Sequence, residues 1–157
     1  MRLSMIAALA GIGLTASAIA APDTPPRQKP GLWREDVTLA GRTTTMEVCL
    51  DAAAAAQMSV LGSGVARTLC KFSPIVHAAD GSWSDTNTCA FRPGAKKVSR
   101  AVVSGSFDSR LLVVTTSPPG GPIVTSMTLT WTGPCKPGQK GGDMILSNGA
   151  KVNLLAH

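Results

Sequence analysis

The stretch TWTGPCKPGQKGGDMI lies near the end of a 157-residue chain and gathers Lys, Gly and Pro around one cysteine, Cys135. A phosphate-cradling loop needs GxxxxGK followed by Ser or Thr at a helix start, so that backbone N–H groups and an ammonium converge on the anion. Gly133 and Gly138 have that separation, but Gln139 stands where the lysine belongs and Gly141 follows Lys140. The stretch therefore reads as a tight, charged turn pinned through Cys135. GSGVAR at 62–67 lacks the third glycine and the preceding strand of a dinucleotide motif. A hydrolytic triad needs a nucleophile, a base and an orienting group. His77 is the one internal histidine, on a predicted strand near a turn and facing solvent, and neither GxSxG nor HExxH occurs. Glu35, Asp36 and Glu47, on the first predicted hairpin, are the carboxylates whose pairing would serve a glycosidase. As cross-strand acids they read as surface residues. Asp108 in GSFDSR reads as an Asx-type turn, because calcium loops need several closely spaced acids. No catalytic residue, metal site or cofactor is expected.

Four cysteines remain: Cys49, Cys70, Cys89 and Cys135. No CxxC or CxxH spacing supports zinc, and an even count in an exported chain points to disulfides. Cys70 and Cys89 lie almost symmetrically about Asp80-Gly81, a two-residue hairpin signal. Hairpin register brings them opposite each other, at a Cβ separation that suits a disulfide. Cys49 then pairs with Cys135. The rival is Cys49–Cys70 with Cys89–Cys135, which needs a sharp turn at Gly62-Ser63-Gly64.

The elements that would position these residues are mostly strands. GLWREDVTL puts Trp33, Val37 and Leu39 on one side, with Glu35 among them. TTTMEVCL returns with Thr44, Met46, Val48 and Leu50 on one side, completing a hairpin. Asp51 and the alanine run that follows predict an N-capped helix from Ala52 to Leu61, then a break and a turn or two to Leu69. KFSPIVHA and SWSDTNTCAF flank Asp80-Gly81, and Pro74 makes the first an edge or bulged strand. KKVSRAVVSGSF, LLVVTTS and IVTSMTLTW follow, separated by turn signals. LLVVTT is apolar on both faces, which predicts a central strand covered on both sides. The sum is a single, mainly β domain with one helical insertion. Its architecture is predicted to be a curved antiparallel meander of about seven strands, half-barrel or barrel-like, with the helix packed on the concave face. Met46, Met58, Leu61, Met127 and Trp131 are the candidate ligand-lining residues, with Met144 completing the methionine set.

The N-terminus, MRLSMIAALAGIGLTASAIA, has a positive start, a short apolar run and the small-residue pattern of a signal peptide over residues 1–20. Cleavage is expected after Ala20, with Ala21 as the alternative. Residues 21–29, APDTPPRQK, form a Pro-rich extended lead-in, and 30–157 form the β domain. No later segment is apolar enough to span a membrane. The formal charge of +6 becomes +5 once Arg2 is removed. Nucleic acid is not an expected partner, since Lys and Arg are scattered and the chain has no Tyr, three Trp and three Phe.

Several stretches resemble one family closely. They are KPGLW at Lys29 to Trp33, VCLDAA at Val48 to Ala53, AQMSVLGSGVARTLCKF at Ala56 to Phe72, TCAF, AVVSGSFDS at Ala101 to Ser109, and WTGPCKPGQKGGDMI. Together with the four cysteines they make the chain similar to domain of unknown function family 3617, a group of exported bacterial proteins. It departs from the family pattern at Arg34, where members typically carry Glu, and at Gly141, where Pro is common. The resemblance implies a periplasmic or secreted setting and brings no activity or catalytic residues. The function expected from the residues is a non-enzymatic domain that binds an apolar or amphipathic ligand. The alternatives are an envelope interaction or stress-response protein that binds a partner by its basic surface or a sheet edge, and an unrecognised enzyme.

Overall fold

The computed structural model describes residues 24–61, 69–92 and 94–156. The signal segment with Ala20 and Ala21, the break at Gly62-Ser63-Gly64 and the turns leading to Leu69 fall outside the described residues. Ten strands form one antiparallel sheet: β1 (Gly31–Leu39), β2 (Arg42–Leu50), β3 (Cys70–Phe72), β4 (Val76–His77), β5 (Trp83–Arg92), β6 (Ala95–Ser106), β7 (Arg110–Thr116), β8 (Ile123–Gly133), β9 (Asp143–Ile145) and β10 (Lys151–Asn153). The order across the sheet is β10-β9-β2-β1-β8-β7-β6-β5-β3, with β4 also paired to β5.

The sheet corrects the predicted count and closure. Pro74 divides one predicted strand into β3 and β4, because it cannot donate to the ladder. The C-terminal hairpin of β9 and β10, three residues each, escaped a reading based on long alternating runs. The end strands β10 and β3 do not pair with each other, so the sheet is open rather than a barrel. Only β5 to β8 form a meander, since β1 inserts beside β8 across a long connection.

Local chemistry explains the joints. Ala40 and Gly41 both have positive φ, 49° and 77°, which gives the β1–β2 hairpin a two-residue turn matching strand twist. Asp80 Oδ1 accepts from Ser82 N at 2.9 Å and Gly81 has φ 81°, closing the β4–β5 turn. At the β6–β7 turn the ring-closing side chain is Ser106, whose hydroxyl accepts from Asp108 N. The Asx-type role predicted for Asp108 belongs to that serine.

Direct cross-strand partners share a face. Trp33 opposes Val48 and Trp131, Glu35 opposes Met46 and Leu129, and Leu111 opposes Leu129 and Gly105. Trp83, Val103 and Val113 extend the same face, and Trp33, Val48, Leu111 and Leu129 on it are almost wholly buried. The helix α1 (Ala52–Gln57) lies against this face through Ala54 and Ala55. It is shorter than predicted: Met58 N still bonds to Ala54 O at the cap, and the chain then leaves helical geometry. β7 is central but covered on one face only. Leu111 and Val113 are buried, whereas Leu112 is 43% exposed.

The KPGLW and WTGPC segments interlock. Trp33 Nε1 donates to Lys29 O at 2.8 Å, and Trp131 Nε1 donates to Pro30 O at 3.1 Å. The Lys29 ammonium lies 3.8 Å from the centre of a Trp131 ring. Gly31, at φ 140°, makes this fit possible, because a Cβ there would collide with Trp131 Nε1 and Gly133 O. Gly31→Ala is expected to cost roughly 2–3 kcal/mol in urea unfolding, from backbone strain and the forced displacement of the Trp131 strand end. A loss below about 0.5 kcal/mol would show that the two segments part easily.

Candidate functional site

On the core face a cavity of about 310 Å³ opens between the sheet and the chain that follows α1. Strand β1 supplies Glu35, β2 Val48 and Leu50, β8 Met127 and Leu129, and β9 Met144. Met58, Ser59 and Val60 close it from above, with Leu154 and Gln28 at its sides. The Asp51 carboxylate caps α1 by accepting from Ala54 N at 2.7 Å, which sets where Met58 to Val60 lie. Unbranched methionines from three elements line an otherwise aliphatic wall, a surface that repacks around irregular apolar shapes. A second cavity of about 230 Å³ shares Gln28, Ser59 and Val60 with the first and continues past Leu61 to Ile75 and Phe107.

Two polar side chains interrupt the apolar wall. Glu35 stands in the ladder between Met46 and Leu129, and no described residue donates a hydrogen bond to it. Burial raises its pKa from an ordinary 4.5 to about 7, by penalising the charged form. Gln28 is 6% exposed, and its Nε2 has no acceptor among the described residues. The lead-in that carries it is tied down by Lys29 N donating to Phe107 O at 2.8 Å, so part of the extended segment belongs to the packed body.

The opposite behaviour appears beside the cavity at Asp143. Its carboxylate accepts from Lys140 N at 2.8 Å, pairs with Lys151 Nζ at 2.6 Å and accepts from Asn153 Nδ2 at 2.9 Å. Those bonds, led by the Lys140 backbone N–H, lower its pKa to about 2. Asp143 is a structural clasp that holds the β9–β10 hairpin, and with it Met144 and Leu154, against the cavity.

The candidate residues read from sequence divide among these features. Met58 and Met127 line the larger cavity, Leu61 lines the smaller one, and Met46 and Trp131 line neither. The carboxylates of the first hairpin do not come together. Asp36 and Glu47 lie on the face opposite Glu35, held by Arg34 and Thr45 and by Lys136 respectively. His77 stacks on Trp83 with ring centres 4.0 Å apart. The disulfides join Cys70 to Cys89 and Cys49 to Cys135. The segment around Cys135 is a turn in which Lys136 N donates to Gln139 Oε1 at 2.7 Å and Gln139 N to Lys136 O. Glu35 and Gln28 were missed as site residues. The signal for Glu35 was present, since it falls in phase with Trp33 and Val37 on the apolar side of its strand.

No group of three or more metal-ligating side chains occurs among the described residues, and no described helix is long and apolar enough to cross a membrane. The model of a family described as protein of unknown function (DUF3617) matches residues 28–135. No curated protein and no solved structure matches the chain.

Proposed function

The chain belongs to the DUF3617 family, and from that premise we propose that it is an exported, non-enzymatic protein that holds an apolar or amphipathic molecule in the methionine-lined cavity of its core face. The observation that carries this reading is the cavity itself: apolar side chains from three strands and the chain after α1 leave about 310 Å³ unfilled beside Glu35 and the unpartnered Gln28 amide. Interiors normally pack to crystal-like density, and a concave apolar site with a few polar groups is the usual form of a small-molecule site. Two disulfides and the leader-like N-terminus support an oxidising destination such as the periplasm.

The test is uptake of N-phenyl-1-naphthylamine, an uncharged apolar fluorophore, combined with native mass spectrometry of protein taken from the cell envelope. Saturable binding is expected, along with a co-purifying mass. Met58→Glu places a charge in the cavity roof and should weaken dye binding at least about tenfold, as burying an unpaired charge is costly. An apo mass together with no saturable dye uptake would overturn the reading.

A further inference from the structure

We propose that the cavity selects an uncharged amphipathic molecule bearing an acceptor oxygen, a ketone or ester carbonyl on an aliphatic body, and that Glu35 is the residue that binds that oxygen. This rests on the cavity being a ligand site.

Glu35 lines the cavity, projects from the core face and receives no hydrogen bond from a described residue. Gln28 lines it as well, is more than nine-tenths buried and has an unpartnered Nε2. Leaving a buried donor such as Gln28 Nε2 unpaired is costly. The half-buried Glu35 carboxyl beside it has no partner among the described residues either, so a ligand oxygen that met both groups would gain two hydrogen bonds. The complement to these groups depends on their protonation. No cation faces Glu35 among the described residues. From β2 it meets Met46 and Val48, from β8 Met127 and Leu129, and from the chain after α1 Met58 and Val60. The charged neighbours are occupied or turned elsewhere: Lys29 lies over Trp131, Arg27 lines the adjoining cavity, and Lys151 holds Asp143.

An uncompensated carboxyl in apolar surroundings keeps its proton, and burial holds the Glu35 pKa near 7. It therefore presents an O–H donor below that pH. The Gln28 amide exchanges its two ends by a half-turn about its last torsion, which turns an N–H toward a bound oxygen without moving the chain. Two donors in an aliphatic cavity call for an acceptor rather than for an anion or an ammonium. An anion would bring a second desolvated negative charge to the Glu35 carboxyl. An ammonium would need the carboxylate that the site disfavours.

Displacement of N-phenyl-1-naphthylamine by 2-decanone, decane and decylammonium distinguishes these cases, with the wild type, Glu35→Gln and Glu35→Leu at pH 5.5 and 8.5. At pH 5.5 the ketone should bind Glu35→Gln within about threefold of wild type, because the amide still donates, and Glu35→Leu about tenfold more weakly. Decane should bind Glu35→Leu at least as well as wild type. At pH 8.5 wild-type affinity for the ketone should fall at least about tenfold, while Glu35→Gln is unaffected. Equal ketone binding by wild type and Glu35→Leu would overturn the headgroup contact while leaving the cavity reading intact. So would preferential binding of decylammonium that grows at pH 8.5 and disappears in Glu35→Gln. Failure of every probe, dye included, would remove the cavity reading and this proposal with it.

Discussion

Replacing Cys49 and Cys135 together by alanine should destabilise the oxidised protein far more than any single exposed substitution, and more than removing the other disulfide. The bond closes a separation of 86 residues, against 19 for Cys70–Cys89. In the chain-entropy account these loops restrict the unfolded ensemble by about 4.6 and about 3.2 kcal/mol respectively. The difference of about 1.3 kcal/mol is what urea unfolding of the two double variants should resolve. Position adds to entropy here. Cys49 is the next-to-last residue of β2, and its carbonyl accepts from Gly142 N at 2.9 Å, where the chain turns into β9. β9 itself pairs with β2 only through Glu47 and Val48. Hydrogen exchange in the Cys49/Cys135 variant should therefore quicken first in β9 and β10, loosening Met144 and Leu154 in the cavity wall. Equal losses for the two pairs, or a larger loss for Cys70/Cys89, would show that native-state contacts rather than loop closure set the order.

The long strands were legible because period-2 alternation is a direct image of a sheet with one face covered. Trp33, Val48 and Leu129 were each assigned to the apolar side of their strands by spacing alone. The turn at Asp80-Gly81 was legible for a similar reason, since its backbone demands specific residues. The His77–Trp83 pair and the Ala78 N to Ser82 O bond nevertheless leave three residues, 79–81, in the loop rather than the predicted two. What spacing could not show was which strand ends meet. The insertion of β1 beside β8 rests on long-range pairing, and nothing local in GLWREDVTL distinguishes a neighbour on β8 from one elsewhere. LLVVTT shows a related limit. Its two apolar faces describe composition, but a second covering layer must exist to bury both, and among the described residues Leu112 remains 43% exposed. For the candidate site, side-chain chemistry found Met58 and Met127 as adaptable apolar groups. It passed over Glu35 because an acid in a hairpin is usually at the surface. The strand phase pointed the other way, and the structure follows the phase.

Glu35 gives this protein an unusual dependence of stability on pH. Its carboxyl titrates near 4.5 when unfolded and near 7 when folded. Below about pH 4.5 both states hold the proton, and the group contributes no penalty. Between those values the unfolded state releases its proton while the folded state keeps it, so the unfolded state binds fewer protons and stability falls as pH rises. Above about 7 both states are ionised, and the full penalty of about 3 kcal/mol is present. Asp143 acts in the reverse sense, since its folded pKa is lowered to about 2. Its clasp is at full strength above the ordinary aspartate range and is lost as pH falls through 4 toward 2. Asp36 and Asp80, also lowered, add to that acid limb. The two opposed limbs place the stability maximum near pH 4–5, on the acid side of the usual range of pH 5–8. Glu35→Leu should remove the upper limb and leave the lower one. At pH 8 the variant should unfold with about 3 kcal/mol more stability than wild type, and at pH 4.5 with nearly the same. A wild-type profile that stays flat from pH 4.5 to 7.5 would show that the Glu35 carboxylate finds a solvated or hydrogen-bonded position in the folded state. It would then no longer be a buried acid that a carbonyl-bearing ligand could relieve.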